Sequence, residues 1–433
     1  MKKITNSKFI IMKKSFVILA LTILTIGIIS SCQKEKMTVD TNAPEMVQKD
    51  LKSLEDIKTN ALQYKALAEK NQQKTDAELQ VLKQKIETLK AERSQRFGNQ
   101  DVSSRSVNGI IRVPQDYPSL QLAVDNSTSG GKIFIQGTVS EPSDVLVDVP
   151  GLTIQGQGSS PTVNGSTLMI SAGGVTVQNL NVNMATVISG INNAKLMNCT
   201  ISATNNTGAI GVLLVMNSSN NSIKNCTIDG AYAGGSHEYG LFLDNLSNQN
   251  EVENSTSKNT FGPTGGGSNS SAFRIDGADN SIKNCTALNF TRGFSSFGGA
   301  CINNQFKGCV ANSSVNDAGF VFFLPTQSNL TLENCTANSS TNGFFIFGGS
   351  GVVSKCTANS NLSLGALIIF TDVLVEKSTF NNNGGLGIYL YAVNNSTIEK
   401  NNSNGNPICD FNETFCSGNT VSDNNFGTIC TGL

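Results

Sequence analysis

The chain has 433 residues, enough by length for two or three ordinary domains, and a net charge of −1 from 31 basic and 32 acidic side chains. With no overall field of one sign, nucleic acid is set aside as a partner. There is no Trp, one His and 41 Gly, yet apolar residues recur too regularly through the Asn-, Ser- and Thr-rich C-terminal two-thirds for a disordered chain.

The first element is an export signal. Lys13 and Lys14 precede the apolar run "SFVILALTILTIGII", which ends in small residues before Cys32. A basic stretch, a short apolar core and small residues describe a secretory leader, and the run is too short for a confident membrane span. Ile29-Ser30-Ser31-Cys32 resembles a bacterial lipobox. That resemblance implies that residues 1–31 are removed, that Cys32 carries lipid, and that 32–44 link it to the rest. Met12 opens a complete signal by itself. The expected location is a bacterial cell envelope, anchored to a membrane and facing the periplasm or the cell surface. The plainer alternatives are a soluble secreted protein with a free cysteine and an uncleaved anchor.

Residues 45–97 are Lys-, Glu-, Gln-, Ala- and Leu-rich and lack Gly until Gly98. Val47, Leu54, Ile57, Ala61, Tyr64 and Ala68 step by threes and fours, with Asp50 filling one position. Leu79, Leu82, Ile86 and Leu89 resume the spacing after a stutter. The spacing predicts a helical stalk or coiled coil, about 75 Å long at 1.5 Å per residue. A single amphipathic helix, lying along the next domain or free as a spacer, is the alternative. Residues 98–109 form a polar link.

From residue 110 to 405 the chain repeats itself. Asn198-Cys199-Thr200, Asn225-Cys226-Thr227, Asn254-Ser255-Thr256 and Asn284-Cys285-Thr286 open a series continued at Cys309, Cys335, Cys356, Ser378 and Asn402. A second series sits upstream of each anchor, from "GVLLV" at Gly211 and "GLFLD" at Gly240 to "GFFIF" at Gly343 and "GIYLY" at Gly387. Short strands between Gly, Asn and Ser turns, with no helix between them, predict an all-β parallel solenoid rising about 4.8 Å per turn. The units resemble the repeats of right-handed parallel β-helix proteins of the pectin-lyase-like superfamily. "IIRVPQDYPSLQLAVDN" followed by "GGKIFIQGTVSEP" is similar to the opening of pectin methylesterases, which implies a strand, a short amphipathic helix and a first turn closing the N-terminal end. The fold hosts many activities, so the resemblance speaks to architecture.

Cys, Ser and Asn interchange at one repeat position, which argues for buried filler rather than redox or metal chemistry. Parallel Cβ atoms about 4.8 Å apart are too far for a disulfide, which prefers about 3.8 Å. Zinc needs convergent ligands; no metal site or cofactor is indicated, with calcium left open as an alternative that no residue pattern points to. Cys301, Cys409, Cys416 and Cys430 fall outside the ladder. A Cys409–Cys416 bridge is expected to staple a C-terminal cap at 406–433, with Cys430 the competing partner.

Alternation along the Gly-led strands assigns Val212/Leu214, Leu241/Leu243, Phe273/Ile275, Phe320/Phe322, Phe344/Ile346 and Ile388/Leu390 to the inside. The alternate set faces out: Leu213/Val215, Phe242/Asp244, Arg274/Asp276, Ser295/Phe297, Val321/Phe323, Phe345/Phe347, Leu367/Ile369 and Tyr389/Tyr391. An outward apolar face marks a contact. The leading reading is an interface with a second copy, as dimer or trimer, or with a partner. The others are cover by the chain's own N-terminal helix or loops, and an aromatic platform for sugar rings. Phe242, Phe297, Phe323, Phe345, Phe347, Tyr389 and Tyr391 carry this expectation.

Asp244, Arg274 and Asp276 interrupt that face, and His237, Glu238 and Tyr239 lie just before it. Two carboxylates beside Arg and Tyr fit acid–base work on a glycoside; a structural charge ladder is the favoured alternative. The paired aspartates and Gly-His-Gly of polygalacturonases and the Asp cluster of pectate lyases have no counterpart here. The sequence therefore favours an envelope-anchored β-helix serving adhesion or glycan binding, with a polysaccharide lyase or glycoside hydrolase as the other reading.

Overall fold

The computed structural model of the protein describes residues 73–95, 109–204, 211–232, 235–236, 238–260, 270–297, 300–312, 314, 317–324 and 328–431. The signal segment, Cys32, the first half of the expected stalk and His237 lie outside them. The described residues all fall in one unit, Ile57–Leu433.

From Ile110 onward the chain winds as a right-handed parallel β-helix of about 13 turns. Every turn lies in register on the next. Ser222–Lys224 pairs with Lys195–Met197 below and Glu251–Glu253 above, so Ile223 sits between Leu196 and Val252. Like side chains therefore stack along the axis. Phe273, Phe294, Phe320 and Phe344 form one such column, with ring centroids 4.8–5.0 Å apart and near-parallel planes. Offset stacking of this kind adds about 0.5–1.5 kcal/mol per pair beyond area burial.

The Asn-Cys-Thr phrase is a bend with two jobs. Asn198, Asn225, Asn254, Asn284 and Asn334 have φ near +50°, the left-handed conformation that Asn tolerates best after Gly. Their amides also pair between turns, Asn225 Nδ2 donating to Asn198 Oδ1 at 3.1 Å. The next residue turns inward. Cys199, Cys226, Cys285, Cys309, Cys335 and Cys356 are all buried and reduced. Each thiol lies against a carbonyl of its own strand and another one turn back, as Cys226 Sγ does with Lys224 O at 3.3 Å and Leu196 O at 3.6 Å. Ser255 and Ser378 donate to the equivalent local carbonyls. Burial, the largest effect, pushes the Cys285 thiol far above its ordinary range. The cysteines are architecture.

Four sequence assignments shift. Thr379 bridges Asn402, so the ladder continues at Asn401, whose Nδ2 donates to Val375 O, and Asn402 is one place too far. In the "GVLLV" strand, Leu213 and Val215 pair with Leu241 and Leu243 and belong to the core, whereas Leu214 faces out with Phe242. Aligning glycines misplaced this strand by one residue, and a one-residue slip inverts both faces. Cys416 and Cys301 repeat the thiol-to-carbonyl contacts at a second bend, on Leu390 O and Ile275 O. Cys416 is therefore committed to that bend, and the disulfide joins Cys409 to Cys430. The expected cap is itself solenoid, since Thr420–Ser422, Asn425–Phe426 and Ile429–Thr431 add a further turn.

Buried Asn columns stiffen the coil. Asn221, Asn250, Asn280 and Asn304 are at most 2% exposed, and each of the first three receives the next one's Oδ1 on its backbone N–H. Asn361, Asn383 and Asn406 repeat the device. A fully satisfied buried network of this kind fixes register.

At the N-terminal end the strand Ile110–Val113 is followed by helix α2, Leu120–Asp125, which turns Leu120, Ala123 and Val124 inward. Ser119 caps it at Leu122 N, and the Glu141 carboxylate accepts from the N–H groups of Leu120 and Gln121. This end is closed, as the resemblance implied.

The helix at 73–95, here α1, does not offer its seam to another helix. Leu79 and Ile86 are buried against Leu146, Met169, Val187, Leu214, Met216 and Phe242, with Leu82 and Leu89 alongside. Arg93 pairs with Asp125 and Asp148, Lys85 with Asp144, and Lys74 with Glu238. The alternating three-and-four spacing that reads as a coiled coil is here spent on a β-helix face.

Candidate functional site

Successive turns bring Tyr239, Arg274 and Asp276 together. Arg274 Nε and Nη2 both reach Asp276 Oδ2, at 2.8 and 2.7 Å, and Nη1 donates to Tyr239 Oη at 2.6 Å. Tyr239 Oη is 3.2 Å from Thr75 Oγ1 of α1. Phe242 and Phe297 flank the guanidinium within 5.3 Å of its carbon. Burial opposes the Arg274 charge most strongly, but Asp276 and Tyr239 more than offset it and hold its pKa above the usual range. Arg274 is 2% exposed and Asp276 fully buried.

Asp244 stands apart from this pair. Its Oδ1 accepts from Asn217 N, Leu246 N and Ser247 Oγ, at 2.9, 3.2 and 2.7 Å, which ties down a bend. Glu238 is taken up by Lys74. One turn on, a pair the sequence reading did not foresee joins Arg292 to Asp317, both about 4% exposed. Burial raises the Asp317 pKa and Arg292 opposes it. The only signal was position, each residue standing just before or beside a Gly-led strand.

The two carboxylates expected for acid–base work, Asp244 and Asp276, are not reachable from solvent in this structure. A pair of carboxylates for glycoside chemistry must flank a bond that substrate can reach. Asp244 and Asp276 are each 2% exposed or less, and Asp244 Oδ1 and both Asp276 oxygens are taken up by internal donors. They hold the turns together.

Of the expected contact face, Phe242 is lost to α1. Val321, Phe345, Leu367 and Tyr389 continue its column, Val321 and Tyr389 fully buried and the other two at most 8% exposed. Burial pushes the Tyr389 phenol up to about 12.

The neighbouring column is an aromatic ridge. Phe297, Phe323 and Phe347 are half-buried, with centroids 5.3 and 5.5 Å apart in tilted stacks. The ridge then runs edge-to-face through Phe370, Tyr391 and Phe415, at 5.6, 5.9 and 5.5 Å. Phe370 is 42% and Phe415 65% exposed. Neither phenylalanine was singled out from sequence, because each lies one residue past the five-residue strand motif.

Their backbone is unusual. The bend after this strand is left-handed at Gly190, Asn217, Gly348 and Ala392, where Gly and Asn sit at little cost. Phe370 and Phe415 occupy it with φ of 51° and 55°. A bulky residue there costs about 1–2 kcal/mol. Strain of this sort concentrates at functional sites.

No curated protein is similar enough in sequence to count as a relative. The catalytic domain of a GH87 α-1,3-glucanase in complex with nigerose superposes with a TM-score of 0.50 at 13% identity, covering 77% of this chain and 69% of that one. A variant of that domain bound to tetrasaccharides gives 0.50 at 14% identity, with the same shares covered. A mannuronic acid specific polysaccharide family 6 lyase from human gut microbiota aligns at 13% identity over 72% of this chain and 83% of its own, with a TM-score of 0.47. At these identities the likeness is one of fold, and residues 319–430 independently match the family model described as right handed beta helix region.

Proposed function

We propose that the protein is an envelope-anchored β-helix, held by lipid at Cys32, that binds a glycan along the ridge Phe297–Phe323–Phe347–Phe370–Tyr391–Phe415 without turning it over. The carrying observation is the pair Phe370 and Phe415, large, exposed and placed where the bend favours Gly or Asn. Sugar rings present apolar C–H faces, and a row of aromatic rings repeating at about one solenoid turn offers matching surfaces without demanding a pocket. The burial of Asp244, Arg274 and Asp276 supports binding over turnover.

The test is affinity for a panel of neutral and acidic polysaccharides, wild type against Phe370→Gly with Phe415→Gly. Affinity for at least one glycan is expected to fall by tenfold or more, about 1.4 kcal/mol or more. The same double change should leave the fold as stable or up to about 1 kcal/mol more stable, because left-handed strain is relieved. Equal affinity of both proteins for every glycan, or release of reducing or unsaturated ends from any of them, overturns the proposal.

A further inference from the structure

The helix α1 lies on a single column of outward side chains. Leu146, Met169, Val187, Leu214 and Phe242 stack in register on successive turns, each at most 3% exposed. The column does not stop there. Arg274, Ser295, Val321 and Phe345 continue it over the next four turns and are no more than 6% exposed, although they stand outside the core cluster. Neighbouring turns shield the flanks of an outward side chain but not its tip. An element therefore covers them. Of the described helices, α2 sits over the first turns, and α1, described from residue 73, meets Glu238 and Tyr239 through Lys74 and Thr75.

The chain just ahead of α1 has the right reach. Arg93 donates to Leu146 O on the first turn of the column, and Thr75 meets Tyr239 on the strand of Phe242, four turns on. Eighteen residues thus pass four turns. Eighteen more run back from Thr75 to Ile57, and four more turns lead from Phe242 to Phe345.

The spacing of side chains agrees. Ile57, Ala61, Tyr64 and Ala68 join the buried Thr75, through Gln72, by steps of three and four. Ten such steps carry the seam over the 36 residues from Ile57 to Arg93, a period of 3.6. That is the period of a straight helix, whereas a coiled coil needs about 3.5. The stutter between the two halves of the seam supplies the difference, and a straight seam suits a straight column.

We infer that residues 57–72 prolong α1 as one straight helix docked along this column, with Ala61 and Ile57 over the turns of Val321 and Phe345. The occupant is the chain's own segment because the covered column is continuous with the contact α1 already makes. The docked segment borders the glycan ridge, since Phe297, Phe323 and Phe347 each lie two residues along the strand from Ser295, Val321 and Phe345.

The experiment is hydrogen exchange of the full chain in detergent, over a range of protein concentrations, with Val321→Asp and, separately, Phe345→Asp. On its own a helix of this length is marginal in water. Wild-type amides of 57–72 are expected to exchange slowly at every concentration. Either substitution, more than 200 residues away in sequence, should speed them by about tenfold or more, while amides of 110–204 keep their protection. Free exchange of 57–72 in wild type overturns the inference. So does protection that survives both substitutions, and protection that grows with concentration assigns the face to a second copy instead. Glycan affinity is read at Phe370 and Phe415, so failure here and failure of the ridge are distinguishable.

Discussion

A single position explains why the chain returns to Asn-Cys-Thr. The bend needs a residue that accepts a left-handed backbone and then a small inward group able to rest on carbonyls, and Asn followed by Cys or Ser satisfies both. Cys335→Ser is therefore expected to change stability by less than about 1 kcal/mol, since Ser255 and Ser378 already fill equivalent sites. Cys335→Leu should cost about 1–3 kcal/mol by overpacking a fully buried site. Equilibrium unfolding in denaturant reads both, and a large loss for the serine variant would mean the thiol does more than fill space. This role was legible in the sequence because substitution down the series removed chemistry as an explanation. The site candidates were not legible in the same way. Asp244, Arg274 and Asp276 stood correctly on an outward face, but a strand period cannot say whether another element lies on top.

That other element is α1. Its residues Leu79, Leu82, Ile86 and Leu89 were recognised as a seam, and the partner is a sheet face made of Leu146, Met169, Val187, Leu214 and Phe242. Periodicity fixes which side of a helix is apolar and leaves open what that side meets. Ile86→Ala should cost about 2–5 kcal/mol of local stability and speed amide exchange across 73–95 and the covered turns. Turns beyond Phe323 should keep their protection, because each turn of a solenoid leans only on its neighbours. Uniform loss of protection along the whole coil would show that α1 is integral to the fold rather than docked on it. The same element reaches Tyr239 through Thr75, and Tyr239 in turn accepts from Arg274.

At the scale of the whole molecule, stability accumulates turn by turn and is lowest where a turn has one neighbour. Cys409 and Cys430 are 21 residues apart in sequence, and closing a loop of that length stabilises by about 3 kcal/mol. Reduction is expected to loosen residues 409–431 in hydrogen exchange and leave turns before Phe344 unchanged. Cooperative melting of the entire coil on reduction would contradict that picture.

The sequence by itself determined the architecture. Repeats of 21 to 30 residues bury a continuous core only by stacking like on like, so the parallel solenoid and its inward thiols follow from spacing and residue type, while the closed N-terminal end was what the resemblance implied. It also exposed an apolar outer face. Only the tertiary structure decided which parts of that face are covered and which stay open, because that depends on contacts between segments far apart in the chain. α1 covers the first turns, Phe370 and Phe415 emerge from strained bends one residue beyond the repeated strand, and the bridge to Cys430 falls to Cys409 because Cys416 is already taken up by the wall of the coil.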